Sequence, residues 1–285
     1  MKISVIETGY FKLDGGAMFG VVPKKLWSRT NPSDQNNLCT WAMRSLLVEE
    51  GDHLILIDTG IGNKQNEQFF SHYHLHGNDN LENSLKNAGY STDDVTDVLL
   101  THLHFDHCGG AVKWKNNDRK VLEPVFKNAT FWSNTKHWEW ANYPNYREKA
   151  SFLQNNILPI KESGQLKFVK RDDLITSTLL PKIDVFFADG HTESQMIPII
   201  NYKGQKIVFM ADLLPSIGHI PLPYVMGYDT RPLQTLTEKS YFLEFAYDND
   251  FVLFLQHDSI NECCKLKKTE KGIRLESVHK LVDFL

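Results

Sequence analysis

The ten residues Thr101-His102-Leu103-His104-Phe105-Asp106-His107-Cys108-Gly109-Gly110 constrain this chain more than any other stretch. Three histidines and a carboxylate fall within six residues, directly after the apolar run Val95–Leu100, which has the character of a buried β-strand. Imidazole nitrogens and carboxylate oxygens are the donors that zinc, iron, manganese and cobalt take, and crowding them at a strand end aims several lone pairs into one small volume. His102 and His104 share a face of extended backbone and are placed to hold one ion together. Asp106 and His107 come after the chain has begun to turn, and so point towards a second. Gly109 and Gly110 are expected to give the turn unusual backbone angles and to let other loops approach closely. A solvated histidine-rich loop is the bland alternative, and it does not account for this spacing behind a strand.

The second half of the chain repeats the format. Asp184–Ala188 is a short apolar run ending in Asp189-Gly190-His191, Lys206–Ala211 ends in Asp212, and Phe251–Gln256 ends in His257. Functional groups collect at the carboxyl ends of strands in α/β architectures, because the loops vary there while the sheet holds their bases rigid. Taken singly, each such Asp could cap the next element and each His could bond to backbone. Four strand ends delivering His, Asp or both amount to a site.

His102, His104, Asp106 and His107 form the HxHxDH signature of the metallo-β-lactamase superfamily, which this chain resembles. The resemblance implies a four-layer αββα sandwich in an α/β fold, with residues 1–285 as one domain, a size that α/β folds often reach as a single unit. It implies two divalent metal ions, zinc foremost, with manganese, iron and cobalt as alternatives. His102, His104 and His191 would hold the first ion; Asp106, His107 and His257 would hold the second; Asp212 would bridge them. Asp58, ending the strand His53–Ile57, would accept a hydrogen bond from a ligand histidine and fix its tautomer. The implied reaction is hydrolysis of a lactone or ester by a hydroxide bridging the ions, with Asp106 as proton shuttle and Asp106 and Asp212 as the catalytic carboxylates.

The loop Phe11–Pro23, containing Leu13-Asp14-Gly15-Gly16-Ala17-Met18-Phe19-Gly20, together with Phe254–Asp258, most resembles quorum-quenching N-acyl homoserine lactonases. Met18, Phe19 and Phe105 are then expected along the substrate pocket. In several such enzymes a tyrosine stands three residues after the bridging aspartate; here that position is Pro215, and His219 or Tyr224 is the candidate replacement. An aryl esterase or phosphotriesterase would use the same ions, and a non-enzymatic binding module would need no full ligand set. A redox enzyme of the flavodiiron type would replace His104 with a carboxylate and add a flavin domain.

Composition narrows the partners. A formal charge of −4 with scattered basic residues disfavours nucleic acid. No stretch is long and apolar enough for a bilayer, and the first residues lack a secretory pattern, so the expectation is a cytoplasmic enzyme acting on a small molecule, with a homodimer compatible. The four cysteines show no CxxC spacing, and Cys108 reads as packing beneath the site. His72, His74 and His76 alternate, but their polar, turn-rich surroundings mark a solvated loop. His137 has no spacing that ties it to the site.

Overall fold

The computed structural model describes residues 1–285. Its contacts divide into two compact units, Met1–Gly9 with Met43–Pro181 and Tyr10–Ala42 with Lys182–Leu285.

In the first unit, the end of strand Leu38–Glu50 pairs antiparallel with His53–Ile57 in a hairpin around Gly51, whose φ of 58° suits the turn. From there the sheet turns parallel, passing in order through His53–Ile57, Asp97–Leu99, Thr130–Ser133 and Leu166–Phe168. Parallel neighbours require crossovers, and helices supply them. Helix Leu81–Asn87 begins at Asn80, whose side chain accepts from the Asn83 N–H, and ends before Gly89 at φ 96°. Leu81 and Leu85, one turn apart, form its inward face and join a cluster containing Leu56, Val98, Leu100, Leu103, Phe126, Phe131, Ile157 and Ile160. Each such side chain stabilises the unit by ~1.5–3 kcal/mol through burial. Asp97–Leu99 is buried along its length, so the turn carrying the histidines springs from a firmly held strand.

In the second unit Ile183–Ala188, Gln195–Tyr202 and Gln205–Phe209 run antiparallel. Gln205–Phe209 then pairs parallel with Val252–Phe254. The crossover between those two is helix Pro232–Asp248, the longest element, begun by a proline in its first turn. Its buried face includes Thr235, Lys239, Phe242, Leu243 and Ala246, at helical spacing. Gly190 lets that helix come close: a Cβ there would lie 2.4 Å from the Thr235 nitrogen. An antiparallel hairpin, Cys263–Thr269 with Gly272–His279, completes the ladder.

The segment Phe11–Pro23 is more ordered than a glycine-punctuated loop. The first strand runs on to Asp14, which caps the short helix Gly15–Phe19 by accepting from the Ala17 N–H. No helix is long and apolar enough to cross a membrane.

Phe242 is fully buried, with its ring 5.0 Å from that of Phe186. Phe242→Ala should lower unfolding free energy by ~3–5 kcal/mol in urea titrations; a change below about 1 kcal/mol would mean the helix is not packed as described.

Candidate metal centre

In the first unit the site is built from Asp58 outward. Asp58 follows the strand His53–Ile57 in a left-handed conformation, φ 59°, that a non-glycine residue adopts only when its surroundings hold it there. Its carboxylate accepts from the Thr101 N–H and the Thr101 hydroxyl, both at 2.8 Å, and from His107 Nδ1 at 2.9 Å. With its proton given to Asp58, Thr101 Oγ1 presents a lone pair to His102 Nδ1 at 3.1 Å. Both imidazoles are therefore protonated on Nδ1 and carry a bare lone pair on Nε2.

His102 Nε2 lies 3.0 Å from His104 Nδ1, while His104 Nε2 faces Glu148 Oε1 at 3.5 Å. Asp106 Oδ2 stands 3.6 Å from His107 Nε2. His102 and His107 are fully buried, and His104 and Asp106 nearly so. Three imidazole nitrogens and a carboxylate gathered out of water with their lone pairs inward repel one another unless a proton or a cation lies among them. This donor set fits a divalent ion of the borderline class.

The turn itself is pinned. His104 precedes the short helix Phe105–Cys108, and the His107 carbonyl accepts from both the N–H and the hydroxyl of Thr59. His137 does reach the motif: its Nε2 accepts from the Leu103 N–H at 2.8 Å, between two of the histidines. Cys108 donates to the Leu103 carbonyl, and burial pushes its thiol up to about 12, so it packs beneath the turn. The glycines provide closeness, not unusual angles. Gly109 has a helical φ of −61°, but a Cβ on it would stand 2.2 Å from the Ile61 carbonyl oxygen, and one on Gly110 2.2 Å from that of Thr59.

An aromatic wall borders the same turn. The Phe105 ring lies 4.6 Å from Tyr73 and 5.4 Å from Phe69, which are themselves 5.0 Å apart. Burial first, and the nearby Asp106 carboxylate second, push the Tyr73 phenol up to about 12. His72, His74 and His76 are exposed as expected, but Tyr73 between them is half-buried against Phe105. The polar surroundings of that segment concealed it.

The second unit carries the other donors. Asp212 lies in a single helical turn, Ala211–Leu213, that follows Gln205–Phe209, and Ala211 is held at φ 41°. One Asp212 oxygen is 3.0 Å from His191 Nε2 and the other is 2.9 Å from His257 Nε2. The remote nitrogens are anchored: His191 Nδ1 to Asp229 at 3.0 Å and His257 Nδ1 to the Ala42 carbonyl at 2.7 Å. Burial disfavours a charged His191, yet Asp212 and Asp229 together push its pKa up to about 10, so this position calls for positive charge. Asp189 has a structural part: its N–H and that of Gly190 donate to Glu238, and its carboxylate caps Ser194.

The expected pocket residues of this unit form one aromatic cluster. Phe19 stacks on His219 with centroids 4.3 Å apart and on Trp27 at 5.3 Å, and meets Tyr224 edge-on at 6.4 Å. Met18 is buried, and its carbonyl accepts from His219 Nε2 at 2.9 Å; Ser216 Oγ holds His219 Nδ1 at 2.9 Å. With both nitrogens committed, His219 packs its loop and offers no free donor, whereas Tyr224 is only half-buried. Lys239, buried, donates to the carbonyls of His219, Pro221 and Tyr224 and so ties the loop to the long helix. Asp229, Glu148, Tyr73 and the Ala42 carbonyl are the participants that sequence reasoning did not find.

The sequence pattern of the metallo-β-lactamase superfamily matches residues 44–257, about three quarters of the chain. An N-acyl homoserine lactonase of Bacillus thuringiensis is 34% identical over 175 residues, 58% of this chain and 59% of that protein. The match thus spans less than two thirds of that relative's length. Among solved structures, a probable metal-dependent hydrolase from Staphylococcus aureus superposes with a TM-score of 0.86 at 27% identity, covering 97% of this chain and 95% of the other. AidC, a dizinc quorum-quenching lactonase in complex with a product, superposes at 0.75 with 24% identity over 98% and 95%, a likeness of fold.

Burial holds His219 neutral, its pKa down to about 3. Its contribution to stability is complete above about pH 6.5, where the unfolded imidazole is also neutral, and is lost as pH falls towards the folded value. His219→Gln should accordingly lose less stability than the unaltered protein between about pH 6.5 and 4 in urea titrations; parallel pH profiles would contradict this.

Proposed function

Because this chain belongs to the metallo-β-lactamase superfamily, we propose that it is a dinuclear metal-dependent hydrolase that opens a lactone ring, with N-acyl homoserine lactones as the substrate class. His102, His104, His191 and Asp212 would hold one divalent ion, and Asp106, His107 and His257 a second, with Asp212 shared. The observation that carries the reading is the Asp212 carboxylate, which has one oxygen 3.0 Å from His191 and the other 2.9 Å from His257, and so would be in reach of two ions. Zinc is the proposed metal. When bound, the pair of ions supplies Lewis acidity and a water whose pKa falls from about 15.7 towards 7.

The residues do the rest. Asp58, Asp229, Thr101 and the Ala42 carbonyl fix His107, His191, His102 and His257 with Nε2 inward, so these four need no reorganisation when substrate arrives. Asp106 would take a proton from the attacking water and pass it to the ring oxygen as the ester bond breaks. Phe69, Tyr73 and Phe105 offer an apolar face beside it for an acyl chain. The resemblance to lactonases at the Leu13–Gly20 segment and the name of the Bacillus thuringiensis relative support the lactone over other esters.

Purified protein should carry about two equivalents of divalent metal, and Asp212→Ala should retain at most one by plasma emission while losing nearly all turnover. Asp106→Asn should lower kcat by ~10²–10⁴-fold. Proton-release assays across homoserine lactones, aryl esters and phosphotriesters, with and without chelator, test the substrate class: chelator-sensitive turnover highest on the lactones is expected. A preference for phosphotriesters or aryl esters would overturn the lactonase assignment, and a metal content near zero would overturn the dinuclear one.

A further inference from the structure

Glu148 is a buried carboxylate, 3% exposed, outside the HxHxDH motif. Its Oε2 accepts from the Trp140 indole N–H at 2.7 Å and from the Asn145 amide at 2.6 Å. Both donors act on the same oxygen and leave Oε1 directed at His104 Nε2, 3.5 Å away. The Glu148 backbone is itself fixed, since its N–H donates to the Asn145 carbonyl and side-chain oxygens. Burying a carboxylate costs several kcal/mol unless it meets hydrogen-bond donors or positive charge. Two neutral donors on one oxygen meet part of that demand, and the remaining oxygen is turned to the one motif histidine whose inward atom is Nδ1.

We propose that Glu148 is a positioning residue for metal binding: it holds His104 as the Nε2–H tautomer and strengthens Nδ1 as a donor. The inference rests on the dinuclear reading above. Of the three histidines in the motif, His107 has Asp58 behind it and His102 has the Thr101 hydroxyl. Glu148 stands behind His104 as Asp58 stands behind His107, at the longer distance of 3.5 Å against 2.9 Å. A carboxylate behind a ligand imidazole raises its basicity, and removal of such a partner typically weakens metal binding ~10–100-fold. Because His104 serves one of the two ions, the effect falls on one binding step.

The test is a stepwise zinc titration of chelator-stripped, full-length protein against a chromophoric competitor, with Glu148→Gln compared with the unaltered chain. The expected result is that one of two steps weakens by roughly 10–100-fold and the other is unchanged, with Glu148→Asp intermediate. If Glu148→Gln does not fold by circular dichroism, Trp140→Phe, which removes one donor from Oε2, is expected to weaken the same step by a smaller factor. Two unchanged steps, or two steps weakened alike, would overturn the inference while leaving the dinuclear reading standing. Failure of the unaltered protein to take up zinc would overturn both.

Discussion

The structure depends on one electrostatic constraint: buried imidazole and carboxylate lone pairs are directed at each other, and something positive must lie among them. Every anchor found in either unit serves that end. Asp58, Thr101, Asp229, Glu148 and the Ala42 carbonyl each face the far nitrogen of a histidine, and so each decides which nitrogen is bare. A neutral imidazole has one donor and one acceptor, so fixing the first fixes the second. Orientation is thereby settled before any ligand arrives, which is the condition for strong binding and for electrostatic stabilisation of a reacting group.

This preorganisation has a conformational cost. Asp58 at φ 59° and Ala211 at φ 41° sit at, or next to, residues of the centre. Each left-handed residue costs ~1–3 kcal/mol, tolerated only where surrounding structure over-determines it. The buried strands Asp97–Leu99 and Val252–Phe254 provide that surrounding. The close approaches at Gly109 and Gly110 act likewise, because a side chain at either would push apart the backbones that hold Thr59 against the His107 carbonyl. Packing pays for geometry.

Much of this was legible in the sequence because the motif is local. HxHxDH occupies six residues, and its period alone sorts the histidines between two directions. Asp212 and His257 were legible because apolar runs end at them. What escaped notice is nonlocal or carried by backbone. Asp229 lies 38 positions from the histidine it supports, Glu148 lies 44 from His104, and a carbonyl such as that of Ala42 has no signature in any sequence. The long helix Pro232–Asp248 was missed because Glu238 and Lys239 are on its buried face, answering the Asp189 and Gly190 amides and three loop carbonyls. Charges there blur the apolar period by which helices are read. Strand Gln195–Tyr202 was masked by Pro198, and His219 was over-read, since a histidine in a loop near the bridging carboxylate gives no sign that Ser216 and Met18 already engage it.

The central claim is that Asp212 stands between two cations. Anomalous diffraction from crystals of the metal-loaded protein, recorded above and below the zinc edge, addresses it most directly. Two peaks, one on either side of the Asp212 carboxylate, are the predicted result. A single peak, or a pair of which neither touches Asp212, would contradict the account.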